Sequence, residues 1–239
     1  MSHESNIPGG SASHVFAGVL LDFDGTIIDS TEAIVENWKR VGLELGIDHQ
    51  EILRTSHGRR SIDVLQQLDP TKANWEYVSA MEARVPFLCK SPAVEIPGAR
   101  RLLESLDRHQ IPNAIVTSGT RALLDGWLKV LQLPQPQEAT VAEDVKLGKP
   151  DPEGYSKARA KLLLSQIDGG CTDVLVMEDA PAGIRAGKAA ECKVLAVATT
   201  HGVEELKAAG ADWVVKDHRS VEVEVGPDRG YRFVFHQLL

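Results

Sequence analysis

The chain has 239 residues, 43% of them hydrophobic and 25% charged, which is ordinary globular composition and enough for one large core or two smaller ones. Its formal net charge of -8 argues against a broad electrostatic footprint for nucleic acid or for an anionic membrane surface, so a small anionic substrate would need a local basic pocket. No run approaches the roughly 20 apolar residues of a membrane-spanning helix, and no charged region followed by an apolar signal core opens the chain, so a cytoplasmic location and no membrane partner are expected. Cys89, Cys171 and Cys192 are too few and too widely spaced for a disulfide framework or a thiolate metal cluster, and are expected to be buried and inert.

Residues 1–14 are rich in Ser, Gly and His with almost no large apolar side chain, which predicts a flexible tail. Val19, Leu20 and Leu21 then form an apolar run that ends in acidic residues and Gly25, the pattern of a buried strand in a parallel sheet. Residues 30–95 carry helical periodicity with no strand-like run between: Ile34, Val35, Trp38, Val41 and Leu45, then Ile62, Leu65 and Leu68, then Trp75, Val78 and Met81. Ile96-Pro97-Gly98 marks the return from this helical insertion. Thereafter strands and helices alternate. Residues 114–116 run into Thr117, Ser118 and Gly119; 174–177 into Glu178 and Asp179; 194–198 into Thr199 and Thr200; leucine-rich helical patterns lie between. Beyond Ala211 one more strand is expected, then period-two alternation over 221–225 and 231–235 around Gly226-Pro227, an edge hairpin.

This order predicts an α/β fold: a doubly wound, mainly parallel sheet formed by residues 15–29 and 96–239, with residues 30–95 inserted as an α-helical cap. In such a sheet ligands bind in the crevice outside the carboxyl ends of the strands, where the polar residues above collect.

Four features there carry chemistry. Asp22 and Asp24, in Leu21-Asp22-Phe23-Asp24-Gly25-Thr26, are like charges one residue apart, costly unless a cation or proton compensates, although turn residues are a bland alternative. Glu178-Asp179 again follows an apolar strand and precedes a helix with Pro near its start; capping by Asp179 explains one acid less awkwardly than two. If the two strand ends converge, up to four carboxylates meet, and magnesium is the natural partner. Thr117 and Ser118 offer hydroxyls and amides suited to phosphate oxygens, or an ordinary helix cap. Lys149 sits in the stiff Gly148-Lys149-Pro150 loop, either aimed at the same place or solvated.

In order and spacing this set resembles the haloacid dehalogenase superfamily of phosphohydrolases, over residues 15–216. D-x-D-G-T matches Asp22 to Thr26, and the second-motif hydroxyl matches Thr117. The third-motif lysine before Pro matches Lys149, and the acidic pair matches Glu178 and Asp179. The insertion resembles the family's small helical cap on its Rossmann-like core. Ser56-His57-Gly58 with Arg60, residues 116–121 and residues 178–190 further resemble the fungal glycerol-phosphatase and 2-deoxyglucose-6-phosphatase group, from which Asp29, Ser30 and Glu191 depart.

The resemblance implies hydrolysis of a small phosphorylated polyol or sugar. Asp22 would be the nucleophile and Asp24 the acid and base. Mg2+ would be held by Asp22, the Asp24 backbone carbonyl, Asp179 and Glu178. Gly25, Thr117, Ser118 and Lys149 would hold phosphate, and His57, Arg59 and Arg60 would face the leaving group. Two alternatives stand beside it: a phosphosugar mutase of the same superfamily, and a non-catalytic phosphometabolite sensor.

Overall fold

In the computed structural model, which describes residues 9–56, 58–88, 93–164, 171–225 and 230–239, the apolar runs become strands of one parallel sheet. Ala12–Phe16 (β1) and Gly18–Leu21 (β2) open the core, and Ile28–Asp29 (β3) leads outward. Five helices follow: Thr31–Leu45 (α1), His49–Ser56 (α2), Ser61–Leu68 (α3), Trp75–Glu82 (α4) and Val85–Leu88 (α5). Val94–Glu95 (β4) leads back, pairing antiparallel with β3 as a two-stranded crossing. Ala99–Arg108 (α6), Asn113–Val116 (β5), Arg121–Leu131 (α7), Ala139–Thr140 (β6) and Glu153–Leu164 (α8) build one flank. Val174–Glu178 (β7), Pro181–Ala189 (α9), Lys193–Val197 (β8), Val203–Ala208 (α10) and Trp213–Val215 (β9) build the other. Val221–Val225 (β10) and Tyr231–Phe235 (β11) close the chain.

The main sheet runs β6-β5-β2-β7-β8-β9 with every neighbour parallel. Chain order reverses at β2: β5 and β6 lie on one side, β7 to β9 on the other. That reversal opens a crevice at the carboxyl ends, where two successive loops part company. Register puts the chemistry at one level, since Leu21 lies opposite both Ile115 and Met177.

The alternation of strand residues gives two cores. Val19, Leu21, Ile115, Met177 and Leu195 face α6, α7 and the C-terminal strands, while Leu20, Val116, Val176 and Val194 face α8, α9 and α10. The inserted helices bury a third cluster of their own, including Trp38, Val41, Ile52, Leu65, Val78 and Met81. Of the thiols, Cys192 is buried and pushed up to about 11 by that burial, and Cys171 donates to the Val15 carbonyl. Cys89 lies outside the described residues. No helix among those residues is long and apolar enough to cross a membrane.

The structure differs from expectation at both ends. Ala12–His14, read as tail, belong to β1, which pairs antiparallel with β11. Gly9 and Gly10 of that segment bond to Leu238, and residues 1–8 lie outside the described residues. β10 and β11 pair antiparallel, but as part of a separate sheet in the order β1-β11-β10 rather than on the edge of the main one; Gly226-Pro227 lies outside the described residues. The short Ser- and His-containing strand carries little β signal of its own. Its end residue Phe16 is fully buried and meets Phe233 edge to face at 5.6 Å, so tertiary burial overrides composition.

Because Phe233 is fully buried in the same cluster as the main sheet, Phe233→Ala should destabilise the whole molecule by about 3–5 kcal/mol in denaturant unfolding. A loss below about 1 kcal/mol would mean that the C-terminal sheet is not part of the core.

Candidate active site

The turn that follows β2 is tied down by its own backbone. The amides of Thr26, Ile27 and Ile28 all converge on the Phe23 carbonyl, and Gly25 donates to Ile28 at 2.7 Å. Gly25 has φ +89, and a Cβ there would lie 2.3 Å from Asp179 Oδ2. Glycine is therefore required twice, for its backbone and for the close approach of Asp179. Its amide is spent on Ile28, and its carbonyl accepts from Thr199 at 2.5 Å. The expectation that Gly25 holds phosphate is corrected: it makes room for a carboxylate.

Lys149 reaches in from the loop after β6. Its ammonium donates to Asp22 Oδ1 at 2.5 Å and Glu178 Oε1 at 2.7 Å, and lies 5.0 Å from the centre of the Tyr155 ring. All three charged groups are buried, so the pairing is charge-assisted and barely screened. Glu178 also accepts from the Tyr155 hydroxyl at 2.9 Å and from the amides of Asp179 and Ala180. Those four bonds fill a carboxylate's acceptor positions. Asp179 does not cap α9, whose N-cap is Ala180. It accepts instead from the hydroxyls of Thr26, at 3.2 Å, and Thr200. One oxygen of each of Asp22, Glu178 and Asp179 falls within 4.8 Å of the others, a buried group able to hold a metal ion.

Negative charge is in excess here. Burial, reinforced by Glu178, pushes Asp22 up to about 7 even against the pull of Lys149. Burial and then the charges of Glu178 and Asp22 push Asp179 well above the carboxylate range. Burial works against the charge on Lys149, but Asp22 and Glu178 outweigh it and the net shift is upward. Three buried carboxylates facing one ammonium fit a hard divalent cation, because its charge offsets the repulsion and its preferred ligands are oxygens. Asp22 and Asp179 keep acceptor positions for it.

Asp24 is half-buried, and its Oδ1 accepts from Ser30 at 2.6 Å rather than joining that group. Burial raises its pKa and the Ser30 bond partly opposes. Thr117 is buried at the carboxyl end of β5 and accepts from the Gly119 amide at 3.0 Å, while the Ser118 hydroxyl donates across to Gly58 of the cap at 2.9 Å. Asp22, Asp24, Thr117, Ser118, Glu178 and Asp179 line one cavity of about 110 Å³. Arg59, Ile34, Val35 and Trp38 form its cap side.

Arg60 does not face this cavity. It is buried, pairs with Asp63 at 2.7 Å through Nη2 and at 2.8 Å through Nε, and donates to the carbonyls of Ala142, Val145 and Lys146. All five guanidinium N–H groups are used. The expectation that it grips the leaving group is corrected: it pins the cap to the loop carrying Lys149. His57 lies outside the described residues.

Glu82 went unrecognised in the sequence. At the end of α4, its buried carboxylate accepts from Ser61 at 2.5 Å and, across the seam, from the Thr120 amide at 2.7 Å, where α7 begins. An acid beside the apolar position Met81 was its only sequence signal. Tyr155 and His201, also missed, sit in patterns indistinguishable from core or turn residues, while Thr200, placed by the sequence at a strand end in the crevice, was given no role there.

A family model described as haloacid dehalogenase-like hydrolase matches residues 19–197. The chain is 40% identical to glycerol-1-phosphate phosphohydrolase 2 of Saccharomyces cerevisiae, across 85% of this chain and 83% of that protein. It is 36% identical to 2-deoxyglucose-6-phosphate phosphatase 1 of the same yeast, across 88% and 92%. A hydrolase crystal structure from Pseudomonas syringae superposes with a TM-score of 0.69 at 26% identity, covering 84% of this chain and 94% of that one.

Two outcomes follow from the cap–core seam. Arg60→Ala strips donors from three carbonyls and from Asp63 and should cost about 3–5 kcal/mol in denaturant unfolding; a negligible loss would mean the guanidinium is dispensable to docking. Glu82 is pushed up to about 6 by burial from an ordinary 4.5, so the folded state keeps a proton that the unfolded chain releases between those values. Its stabilising contribution is complete below 4.5 and is lost as pH rises through 6, a decline of about 2 kcal/mol. Unfolding of wild type and Glu82→Gln from pH 4 to 7.5 should show wild type declining by about 2 kcal/mol more than the variant, because the raised carboxyls of Asp22 and Asp24 act in both; parallel curves would contradict it.

Proposed function

This chain belongs to the haloacid dehalogenase-like hydrolase family, and from that premise we propose that it is a magnesium-dependent phosphatase working through an aspartyl phosphate on Asp22. It is a phosphoric monoester hydrolase of small polyol or sugar phosphates, as its relatives' names and their 36–40% identity across most of the chain support. The observation that carries the residue assignment is Lys149 held between Asp22 and Glu178 beside Asp179.

In the first step an Asp22 oxygen attacks phosphorus in line, the bond from phosphorus to the alcohol oxygen breaks, and Asp24 gives its proton to the departing alkoxide. A carboxyl whose pKa burial has raised is suited to hold that proton. In the second step Asp24 takes a proton from water, the water oxygen attacks phosphorus, and the bond to Asp22 breaks to release inorganic phosphate. Lys149 spends two N–H groups on carboxylates and keeps a third for a phosphoryl oxygen. The Thr117 hydroxyl and the Ser118 backbone complete that cradle. Glu178, its acceptor positions filled, orients Lys149. Asp22, Asp179 and the Asp24 backbone carbonyl would hold magnesium, which would supply the charge that keeps Asp22 ionised and offsets the phosphoryl oxygens, whereas Glu178, also expected as a ligand, has its acceptor positions filled.

The leaving alcohol would meet Arg59, Ser56 and Ser61 on the polar side of the cavity and Trp38 on the other. So small a cavity favours compact alcohols. We assign residues 30–95 to the cap that encloses it, and the remainder from residue 12 onward to the core.

Purified protein with magnesium should release inorganic phosphate from glycerol phosphate or 2-deoxyglucose 6-phosphate, and a chelator should abolish release. Asp24→Asn should lower turnover by about 100-fold or more and Asp22→Asn by more still. Isomerised ester without phosphate release would indicate a mutase. Tight ester binding with wild type and Asp22→Asn equally inactive would indicate a sensor.

A further inference from the structure

The family match ends at residue 197, yet the chain beyond it returns to the loop that follows β2. Between β9 and β10, residues His218–Ser220 form a single 3-10 turn. His218 is fully buried, and its Nε2 lies 2.7 Å from the Thr26 carbonyl. A carbonyl only accepts, so Nε2 carries the proton and Nδ1 the bare lone pair. Nδ1 has no partner, so the ring's polar contact with the molecule is the bond to Thr26. Buried polar atoms left unpaired are uncommon.

The turn is rigidly held. Asp217 accepts from the Arg219 amide at 3.0 Å and from its guanidinium at 3.0 and 2.7 Å, and buried Val221 continues into β10. It touches both crossings between core and cap. Thr26 lies just before β3, and Gly98 lies just after β4, packed so closely that a Cβ on it would sit 2.6 Å from the Arg219 nitrogen and 2.7 Å from the His218 carbonyl carbon. Thr26 in turn donates its hydroxyl to Asp179.

We infer that His218 is a positioning residue for the reaction: by holding the Thr26 carbonyl it fixes the Asp22-to-Ile28 loop, and with it the spacing of Asp22, Asp24 and Asp179. The reading rests on the function proposed above. It also gives the C-terminal sheet a task, which is to carry this brace. Sheet and turn form a fixed post against which the loop and the cap crossing bear.

His218→Phe keeps the ring's bulk and removes the N–H, whereas His218→Gln places an amide N–H near the position of Nε2. Two readouts are needed: kcat and KM for glycerol phosphate with magnesium, and amide hydrogen exchange of the peptide spanning residues 22–29. In His218→Phe, kcat should fall by about 10- to 100-fold with KM nearly unchanged, and exchange across 22–29 should quicken. His218→Gln should recover most of both. Leu206→Ala, a buried truncation on α10 in the other core cluster and outside the turn and its sheet, should leave both near wild type.

Unchanged exchange in His218→Phe would overturn the inference whatever the activity. So would equal losses in the Phe and Gln variants, or a matching loss in Leu206→Ala. A wild type without phosphatase activity would refute the proposed function, while the exchange comparison would still decide the role of His218. If the Phe variant is not recovered folded, His218→Asn, too short to reach Thr26, takes its place.

Discussion

One buried ammonium organises this molecule. Taking Lys149, Asp22, Glu178 and Asp179 out of water costs several kcal/mol per charge, and only close pairing offsets it. The pairing needs three chain segments distant in sequence to arrive at one point. β2 delivers Asp22, β7 delivers Glu178 and Asp179, and the loop after β6 delivers Lys149. A parallel sheet whose strand order reverses at β2 is what brings them there. The fold and the charge cluster specify one another, and the charge still unbalanced is the reason a divalent cation belongs in the account.

Around that cluster the supports are graded by what they hold. Glu178 is saturated and fixes Lys149. Asp179 is aimed by two hydroxyls and given room by Gly25. Arg60 anchors the cap to the backbone just upstream of Lys149, and Glu82 anchors it to the start of α7, next to Thr117 and Ser118. The cap and the loops proposed to hold phosphate are thus joined by hydrogen bonds to backbone, so movement of the cap and placement of Lys149 are mechanically connected.

Much of this was legible in the sequence because it depends on local pattern. Apolar runs ending in acids or hydroxyls marked the strands and put their functional ends on one edge, and three apolar stripes marked three of the five inserted helices, α1, α3 and α4. What stayed hidden depends on tertiary partners. Nothing around Arg60 distinguishes a guanidinium facing substrate from one facing three carbonyls 80 residues away. Nothing in the sequence marks Glu82 or Tyr155, because their partners lie 38 and 23 residues away, at Thr120 and Glu178. β1 has too little β propensity to be seen without Phe16 packed on Phe233, and β3, β4 and β6 have only two residues each. Gly25 was rightly singled out but wrongly employed, since its amide is committed within its own turn.

The central claim is that phosphoryl transfer passes through Asp22. The most direct measurement uses Asp24→Asn with magnesium and p-nitrophenyl phosphate, whose leaving group needs no proton while the second step still lacks its base. After rapid quenching, borohydride reduces any aspartyl phosphate to homoserine, and peptide mass spectrometry locates it. The account predicts homoserine at position 22. A burst of nitrophenol with Asp22 intact, or homoserine at another position, would contradict it.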